Sequence, residues 1–217
     1  MARAGRTRAY VGLGANVGDP AATLARAVLS LAALPGVRLA GVSRLYATAP
    51  VGVTDQPEFR NAVVALEVPS GPDPASGALA LLIALKSLER AFGRRHRRRW
   101  GPRELDLDLL VFGRARLAVD RPPEASSLDA VADPAKAARL LVVPHPEARD
   151  RLFVLGPLAD LAPGLVPPGW GETVATARAR RELAEGADAV RPIARWDRPA
   201  RAFVSDPAGR PAKGRSA

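Results

Sequence analysis

The chain has 217 residues, 47 % of them hydrophobic and 25 % charged, with a net charge of +10, which suits one domain with a core and is too short for two large ones. It contains no cysteine, which excludes a disulfide scaffold, a thiolate zinc site and a cysteine nucleophile. The sequence has neither an apolar run of about 20 residues nor a signal-type segment, so we expect a cytoplasmic protein with no membrane partner.

The first half of the chain predicts a strand, a helix and two further strands. A strand over residues 9–13 leads into a glycine-rich turn. A helix over residues 20–34 follows, because Asp19 is a capping residue type and the apolar residues then recur at helical spacing. Residues 37–48 and 60–68 have the composition of strands and are separated by a loop.

The next two elements complete the order of a known supersecondary unit. Residues 74–92 predict a second helix, and residues 105–112 predict a strand. The amphipathic face of the helix is set by its apolar residues Leu79, Leu82 and Ile83 together with Lys86 and Arg90. The order β-α-β-β-α-β is that of the ferredoxin-like split βαβ sandwich. We therefore predict an α+β fold in which helices pack on an antiparallel sheet.

The sequence after residue 113 is less regular. Residues 114–139 are rich in Ala, Pro and Asp and are predicted to form a surface insertion, followed by a short helix or turn over 153–161. Pro, Gly, Ala and Arg dominate from residue 167 onward. We place the domain at residues 9–166 and predict a flexible basic tail over 167–217, solvated from residue 196.

The positive charge is concentrated beside a pair of acids. Residues 86–103 contain eight Lys or Arg and one acid, whereas residues 104–170 are net acidic. Asp106 and Asp108 are two apart on a predicted strand, so their side chains share one face at a spacing of about 7 Å. Such carboxylates suit Mg2+, and the arginines before them suit a polyphosphate. Together they predict phosphoryl-type transfer. These arginines are Arg94, Arg95, Arg97, Arg98, Arg99 and Arg103.

Each of these features has a simpler interpretation when it is taken alone. An arginine run is more often a solvated face or a nucleic-acid patch, and two acids on a strand more often form surface ion pairs. A basic nucleic-acid-binding module therefore remains one alternative, and a metal-dependent nucleotidyltransferase, which also uses paired aspartates, remains another. The adjacency of the arginines and the acids favours a metal–phosphate site.

The stretch from Arg99 to Leu110 reads RWGPRELDLDLL and resembles the signature of the 6-hydroxymethyl-7,8-dihydropterin pyrophosphokinase family, whose members are also called 2-amino-4-hydroxy-6-hydroxymethyldihydropteridine diphosphokinases. Four further blocks resemble the family in the same order, and together they cover residues 9–166. These blocks are YVGLGANVGDP from residue 10, LYATAPVG from residue 45, DQPEFRNAVVAL from residue 55 and VPHPEARDRLFVLGPLADLAP from residue 143.

The resemblance implies an activity and a set of partners. The implied reaction transfers pyrophosphate from ATP to the hydroxymethyl group of 6-hydroxymethyl-7,8-dihydropterin, releases AMP and belongs to folate biosynthesis. It implies two Mg2+ ions, ATP as co-substrate, a monomer and no obligatory nucleic acid.

The resemblance also implies roles for individual residues, carried over by position. The implied ligands of the two Mg2+ ions are Asp106 and Asp108. The implied catalytic phosphate clamp is Arg94, Arg99 and Arg103. The implied ATP-binding residues are Glu89, Trp100, His145 and Arg151. The implied pterin-binding residues are Thr48, Phe59, Asn61 and Phe153.

Several of these residues also fit ordinary structural roles. Phe59 and Phe153 would otherwise be core aromatics, Asn61 would be satisfied by backbone, and His145 would be structural. The glycine-rich run of residues 12–18 lacks the spacing of a dinucleotide fingerprint and is predicted to be a turn.

Overall fold

The computed structural model describes residues 5–50, 52, 54–94, 101–122 and 138–205. The described strands are β1 (Arg6–Ala15), β2 (Arg38–Val42), β3 (Leu45–Thr48), β4 (Phe59–Pro69), β5 (Asp106–Phe112), β6 (Leu117–Asp120), β7 (Arg139–Val143), β8 (Val190–Asp197) and β9 (Ala202–Ser205). The described α-helices are α1 (Pro20–Ala32), α2 (Pro74–Ala91), α3 (Leu152–Leu161) and α4 (Val174–Glu185).

The main sheet has the order β5-β1-β4-β3-β8-β9, with β2 also paired to β4. Every pairing in it is antiparallel. The elements from β1 to β5 follow the predicted β-α-β-β-α-β order if β2 and β3 are counted as one broken strand. The predicted α+β fold with helices packed on an antiparallel sheet is confirmed.

Helices α1 and α2 both begin directly after an aspartate that acts as the capping residue. Asp19 accepts a hydrogen bond from the backbone N of Ala22 at 3.0 Å, and Asp73 accepts one from the N of Ser76 at 3.0 Å. A proline follows each cap and needs no hydrogen-bond partner for its nitrogen. Local chemistry therefore sets where both helices begin.

Helices cover the two faces of the sheet. Helices α1 and α2 bury one side of it, and α3 and α4 bury the other. The predicted apolar face of α2 is partly wrong, because Ile83 is 63 % exposed and the buried residues are Ala78, Leu81 and Leu85. The residues of α2 that face the sheet are therefore shifted by one position towards the N-terminus relative to the predicted apolar face.

The single strand predicted over residues 37–48 is two strands. Between β2 and β3, the hydroxyl of Ser43 donates to Arg44 O at 2.7 Å and accepts from Val63 N at 2.9 Å. The backbone N of Ser43 donates to Val63 O. A side chain thus takes over one ladder bond, which interrupts the regular pairing with β4.

The prediction of a flexible tail over residues 167–217, solvated from residue 196, is wrong for the part that forms α4, β8 and β9. Strand β8 pairs with β3, and β9 pairs with β8, so this segment extends the main sheet. Trp196 and Phe203 pack edge to face with ring centroids 5.2 Å apart. Residues 206–217 lie outside the described residues.

The predicted surface insertion contains a small hairpin. Strand β6 pairs antiparallel with β7 in a separate two-stranded sheet, which brings the segment around His145 to the edge of β5. Residues 123–137 of the insertion lie outside the described residues. In the part of the chain that is described, no helix is long and apolar enough to cross a membrane.

Helix α3 is joined to β3 by one carboxylate. Asp160 accepts hydrogen bonds from the backbone N of Arg44 at 3.0 Å, from its Nη2 at 2.7 Å and from the hydroxyl of Tyr46 at 2.9 Å. Burial and the charge of Asp160 raise the pKa of Tyr46 well above its usual value, so its hydroxyl stays protonated and donates. This network fixes α3 over the strand that carries Thr48.

We expect Asp160→Ala to lower the free energy of unfolding by about 3 kcal/mol, because four donors, which include Arg44 Nε at 3.1 Å, lose their acceptor in a partly buried site. Urea unfolding measures it. Asp150→Ala is the matched control, because Asp150 is exposed and its ion pair with Arg180 is long, at 3.6 Å. The free energy of unfolding of this variant should stay within about 0.5 kcal/mol of the wild-type value. Equal changes in the two variants would contradict the role of the network.

Candidate active site

Two carboxylates project from the start of β5 on one face. Asp106 and Asp108 are half-buried, whereas Leu107 between them and Leu105 and Leu109 beside them are buried in the core. Period-two alternation places the acids and the leucines on opposite sides, as the sequence predicted.

The neighbouring strand leaves space beside these carboxylates. Gly12 and Gly14 of β1 lie opposite Asp108 and Asp106 in the sheet register, and Gly14 also lies opposite Asn61 of β4. A Cβ atom at Gly14 would lie 3.2 Å from Asn61 Oδ1. The prediction of a turn over residues 12–18 is wrong for these two glycines, because they lie within β1, where glycine allows a close approach.

Arginines surround the first carboxylate. Arg94 Nη1 lies 2.7 Å from Asp106 Oδ1, and Arg103 Nη1 pairs with the other carboxylate oxygen of Asp106. Burial lowers the pKa of Arg94, but the charges of Asp106 and Glu89 outweigh it and raise the pKa above its usual value. The Arg94 guanidinium is therefore charged beside the acids, as an anion site requires.

Glu89 is placed beneath this cluster. Its side chain is 3 % exposed, and Oε1 accepts from Lys86 Nζ at 2.8 Å and from the backbone N of Leu107 at 2.7 Å. Arg94 Nη1 lies 2.5 Å from the same oxygen. Glu89 thus holds the β5 backbone between the two aspartates. Sequence reasoning missed Lys86 in the site, although its position three residues before an acid on one helix was a signal.

Asp108 has a strongly basic environment. Burial alone would raise the pKa of Asp108, but Lys86, followed by cations that include Arg103 and Arg151, holds it below its usual value. Asp108 is therefore ionised at neutral pH and can bind a cation.

His145 faces this carboxylate from the segment after β7. Its backbone N donates to Leu110 O at 2.9 Å, which fixes the segment against β5. Burial lowers the pKa of His145, so the ring is neutral at pH 7. Because Nδ1 accepts from the backbone N of Glu147 at 3.3 Å, the ring proton is assigned to Nε2. His145 can then donate one hydrogen bond to an anion.

Asn16 joins the loops around the site. Its side-chain amide donates to Gln56 Oε1 at 3.0 Å and Pro57 O at 3.1 Å. Its carbonyl oxygen accepts from the backbone N of Arg103 at 2.8 Å. Asn16 is 2 % exposed and couples the loop before β4 to the loop before β5, a role that sequence reasoning did not assign.

The four residues implied for a pterin pocket lie on three elements. Asn61 Nδ2 donates to Thr48 Oγ1 at 2.8 Å, and Phe59 lies opposite Thr48 in the register of β3 and β4. Phe153 lies in the first turn of α3, with the Arg151 guanidinium carbon 5.5 Å from its ring centroid. Thr48, Phe59 and Asn61 are thus neighbours on one face.

Sheet register connects the two halves of the site. Asn61, Gly14 and Asp106 follow one another across β4, β1 and β5, so an amide and a carboxylate flank a strand position that has no side chain. Arg99 and Trp100, which the resemblance also implied, lie outside the described residues.

The donor set fits a divalent cation that a substrate also binds. Among the described residues, no group of three or more His, Cys, Asp or Glu could hold a metal ion. Two carboxylates suffice for Mg2+, which commonly takes one or two protein carboxylates and completes its shell with phosphate oxygens and water. The site therefore suits a metal–polyphosphate complex better than a metal alone.

Comparison with known proteins identifies relatives along most of the chain. The profile of the 7,8-dihydro-6-hydroxymethylpterin-pyrophosphokinase (HPPK) family matches residues 10–163. The chain is 44 % identical over 174 residues to the 2-amino-4-hydroxy-6-hydroxymethyldihydropteridine pyrophosphokinase of Methylorubrum extorquens, covering 80 % of this chain and 93 % of that protein. It is 41 % identical over 161 residues to the enzyme of the same name from Pseudomonas aeruginosa, covering 74 % and 84 %.

Solved structures share the fold. A Plasmodium falciparum HPPK-DHPS crystal structure with pterin and p-hydroxybenzoate superposes with a TM-score of 0.64 at 13 % identity over 94 % of this chain and 50 % of that one. An HPPK-DHPS in complex with substrates gives 0.66 at 12 % identity, over 92 % and 49 %. This chain spans about half the length of these two solved chains.

Proposed function

The chain belongs to the 7,8-dihydro-6-hydroxymethylpterin-pyrophosphokinase family, and we propose that it transfers pyrophosphate from ATP to the hydroxymethyl oxygen of 6-hydroxymethyl-7,8-dihydropterin, with release of AMP. One observation carries the proposal beyond family membership. The acid–arginine cluster of β5 and the Asn61–Thr48 pair lie on one face, separated by Gly14. A phosphate donor and a flat acceptor can therefore meet there.

We propose that Asp106 and Asp108 hold two Mg2+ ions together with the triphosphate of ATP. When bound, Mg2+ neutralises phosphate charge and aligns the attacking and leaving oxygens. Asp108 is suited to this because its lowered pKa keeps it ionised. Asp106 is suited because Arg94 and Arg103, which pair with it, can turn to the phosphates.

The cations of the site would stabilise the developing charge of the transferred group. Catalysis of phosphoryl-type transfer is mainly positioning and charge stabilisation. Arg103 and Arg94 pair with Asp106, the charge of Arg151 also stabilises ionised Asp108, and His145 can donate from Nε2. We assign no general base, because the described residues place no neutral base next to Asn61 and Thr48.

The pterin would bind at the ends of β3 and β4. Asn61 offers an amide that can read the donor and acceptor edge of a heterocycle, and Thr48 orients that amide. Phe59 and Phe153 offer rings for stacking. Glu89 is proposed to act through the β5 backbone, Lys86 and Arg94 and not by contacting adenosine, because its side chain is buried.

We expect Asn61→Ala to weaken pterin binding by about 10- to 100-fold, because loss of a buried hydrogen-bonding group costs about 1–3 kcal/mol of binding free energy. Affinity for ATP should change less than about twofold, since Asn61 lies across Gly14 from the acidic cluster. Titration calorimetry with each ligand measures both. Equal losses for the two ligands, or none for the pterin, would contradict the assignment.

Product analysis tests the proposed reaction. The protein, ATP, Mg2+ and the hydroxymethyl dihydropterin should yield AMP and pterin diphosphate in equal amounts, and neither without the pterin. Release of pyrophosphate would indicate a nucleotidyltransferase, and release of ADP a monophosphoryl transfer. Salt-sensitive binding of RNA or DNA without turnover would favour the basic nucleic-acid-binding module.

A further inference from the structure

Strand β8 borders the candidate pterin pocket although it lies beyond residues 10–163, which match the family profile. In its pairing with β3, Val190 lies opposite Thr48 and Arg191 lies opposite Ala47. A Cβ atom at Gly156 of α3 would lie 3.4 Å from Val190 Cγ1. Val190 therefore shares the face of Thr48 and α3.

The neighbouring residues on these strands, Ala47 and Arg191, face the opposite side of the sheet. Ala47 lies opposite Arg60 in β4 and opposite Arg191 in β8. Because side chains alternate along a strand, Arg60 and Arg191 lie on the face opposite to Thr48 and Asn61. The ends of β3, β4 and β8, which border the candidate pterin pocket, thus carry two arginines on the opposite face of the sheet.

Both arginines bind one carboxylate. Arg191 Nη2 donates to Glu58 Oε1 at 2.7 Å, and Arg60 Nη1 donates to Glu58 Oε2 at 3.1 Å. Burial opposes ionisation of Glu58, but the two arginines together outweigh it and hold the pKa of Glu58 below the usual value. Glu58 directly precedes Phe59, so this cluster, which we call the reverse-face clamp (Glu58, Arg60 and Arg191), fixes the residue that begins β4.

We infer that Arg191 is a positioning residue for pterin binding, because it ties strand β8 to the end of the loop that leads into Phe59. This inference rests on the proposed function. Phe59 and Thr48 lie opposite each other, and a stacking ring must hold its place for a flat ligand to gain from it. The segment beyond residue 163 is thereby part of the working site.

A purely structural role of the Arg191–Glu58 ion pair leads to a different expected result from a positioning role. Arg191 is 50 % exposed and Glu58 is 42 % exposed, and exposed pairs contribute little to global stability. If the clamp only supports the fold, its loss should leave ligand affinities unchanged or change all of them together. If it positions Phe59, pterin affinity should fall while the unfolding temperature stays constant.

The experiment compares Arg191→Gln with the wild-type full chain. We expect the Kd for the pterin to rise about fivefold, as loss of an interaction of about 1 kcal/mol would give, with the Kd for ATP and the unfolding temperature unchanged. Glu58→Gln should have the same effect, and the double variant no more than either. Arg191→Lys should recover part of the affinity.

Arg195→Gln is the matched control, because Arg195 lies on the same strand and its guanidinium lies 3.7 Å from Asp197, away from Glu58. Its pterin Kd should equal that of the wild type. An unchanged pterin Kd in Arg191→Gln would overturn the inference alone, as would a parallel loss of ATP affinity and stability. Absence of pterin binding by the wild type would overturn the proposed function as well.

Discussion

Asp108→Asn is expected to lower turnover by about 1,000-fold while the protein stays folded. The substitution keeps the shape of the side chain but removes the negative charge that a divalent cation requires. Loss of such charge stabilisation costs several kcal/mol, and about 4 kcal/mol corresponds to three orders of magnitude in rate. Single-turnover kinetics at saturating ATP and pterin measure the effect.

Asp106→Asn should behave in the same way, and residual activity in both variants should need more Mg2+. The matched control is Asp120→Asn, because Asp120 is a 76 % exposed acid on β6 that pairs with Arg139. Its turnover should stay within about twofold of wild type, as for most surface substitutions. Turnover of Asp108→Asn within tenfold of wild type would refute the metal assignment.

Glu89→Gln is expected to reduce both stability and turnover. Its buried carboxylate neutralises Lys86 and Arg94, and breaking a buried ion pair costs about 3 kcal/mol or more. For a chain of this size that lowers the unfolding temperature by about 6–12 °C. Turnover should fall because the hydrogen bond that holds the Leu107 backbone between the aspartates is weakened. Differential scanning calorimetry and steady-state kinetics measure the two effects.

Two further variants separate charge from packing at this position. Glu89→Asp retains the charge and should recover part of the stability. Glu182→Gln removes an acid from a partly exposed helical pair with Arg178 and should cost about 0.5 kcal/mol at most. An unfolding temperature of Glu89→Gln equal to that of Glu182→Gln would show that Glu89 does not organise the site.

Much of the fold was predictable because its signals are local. Aspartates before α1 and α2, followed by prolines, mark both helix starts. The alternation of Asp and Leu from residue 105 to 109 separates the site face of β5 from the core face. The order of these elements then indicates the split βαβ arrangement.

The remaining features depend on partners distant in sequence. Strand β8 is rich in arginine and includes a proline, and it is a strand because β3 offers it an unpaired edge. The break at Ser43 depends on a hydroxyl that bonds Val63. The position of Glu89 was implied by resemblance, but its burial follows from the packing of α2 on β5, which no local pattern encodes.

The fate of each phosphate of ATP tests the central claim most directly. With Mg2+, the hydroxymethyl dihydropterin and ATP labelled separately in the α, the β or the γ phosphate, the α label should appear only in AMP and the β and γ labels only in the pterin product. That distribution requires attack at the β phosphorus and transfer of pyrophosphate as one unit. An α label in the pterin product, or a β label left in ADP, would contradict the proposed function.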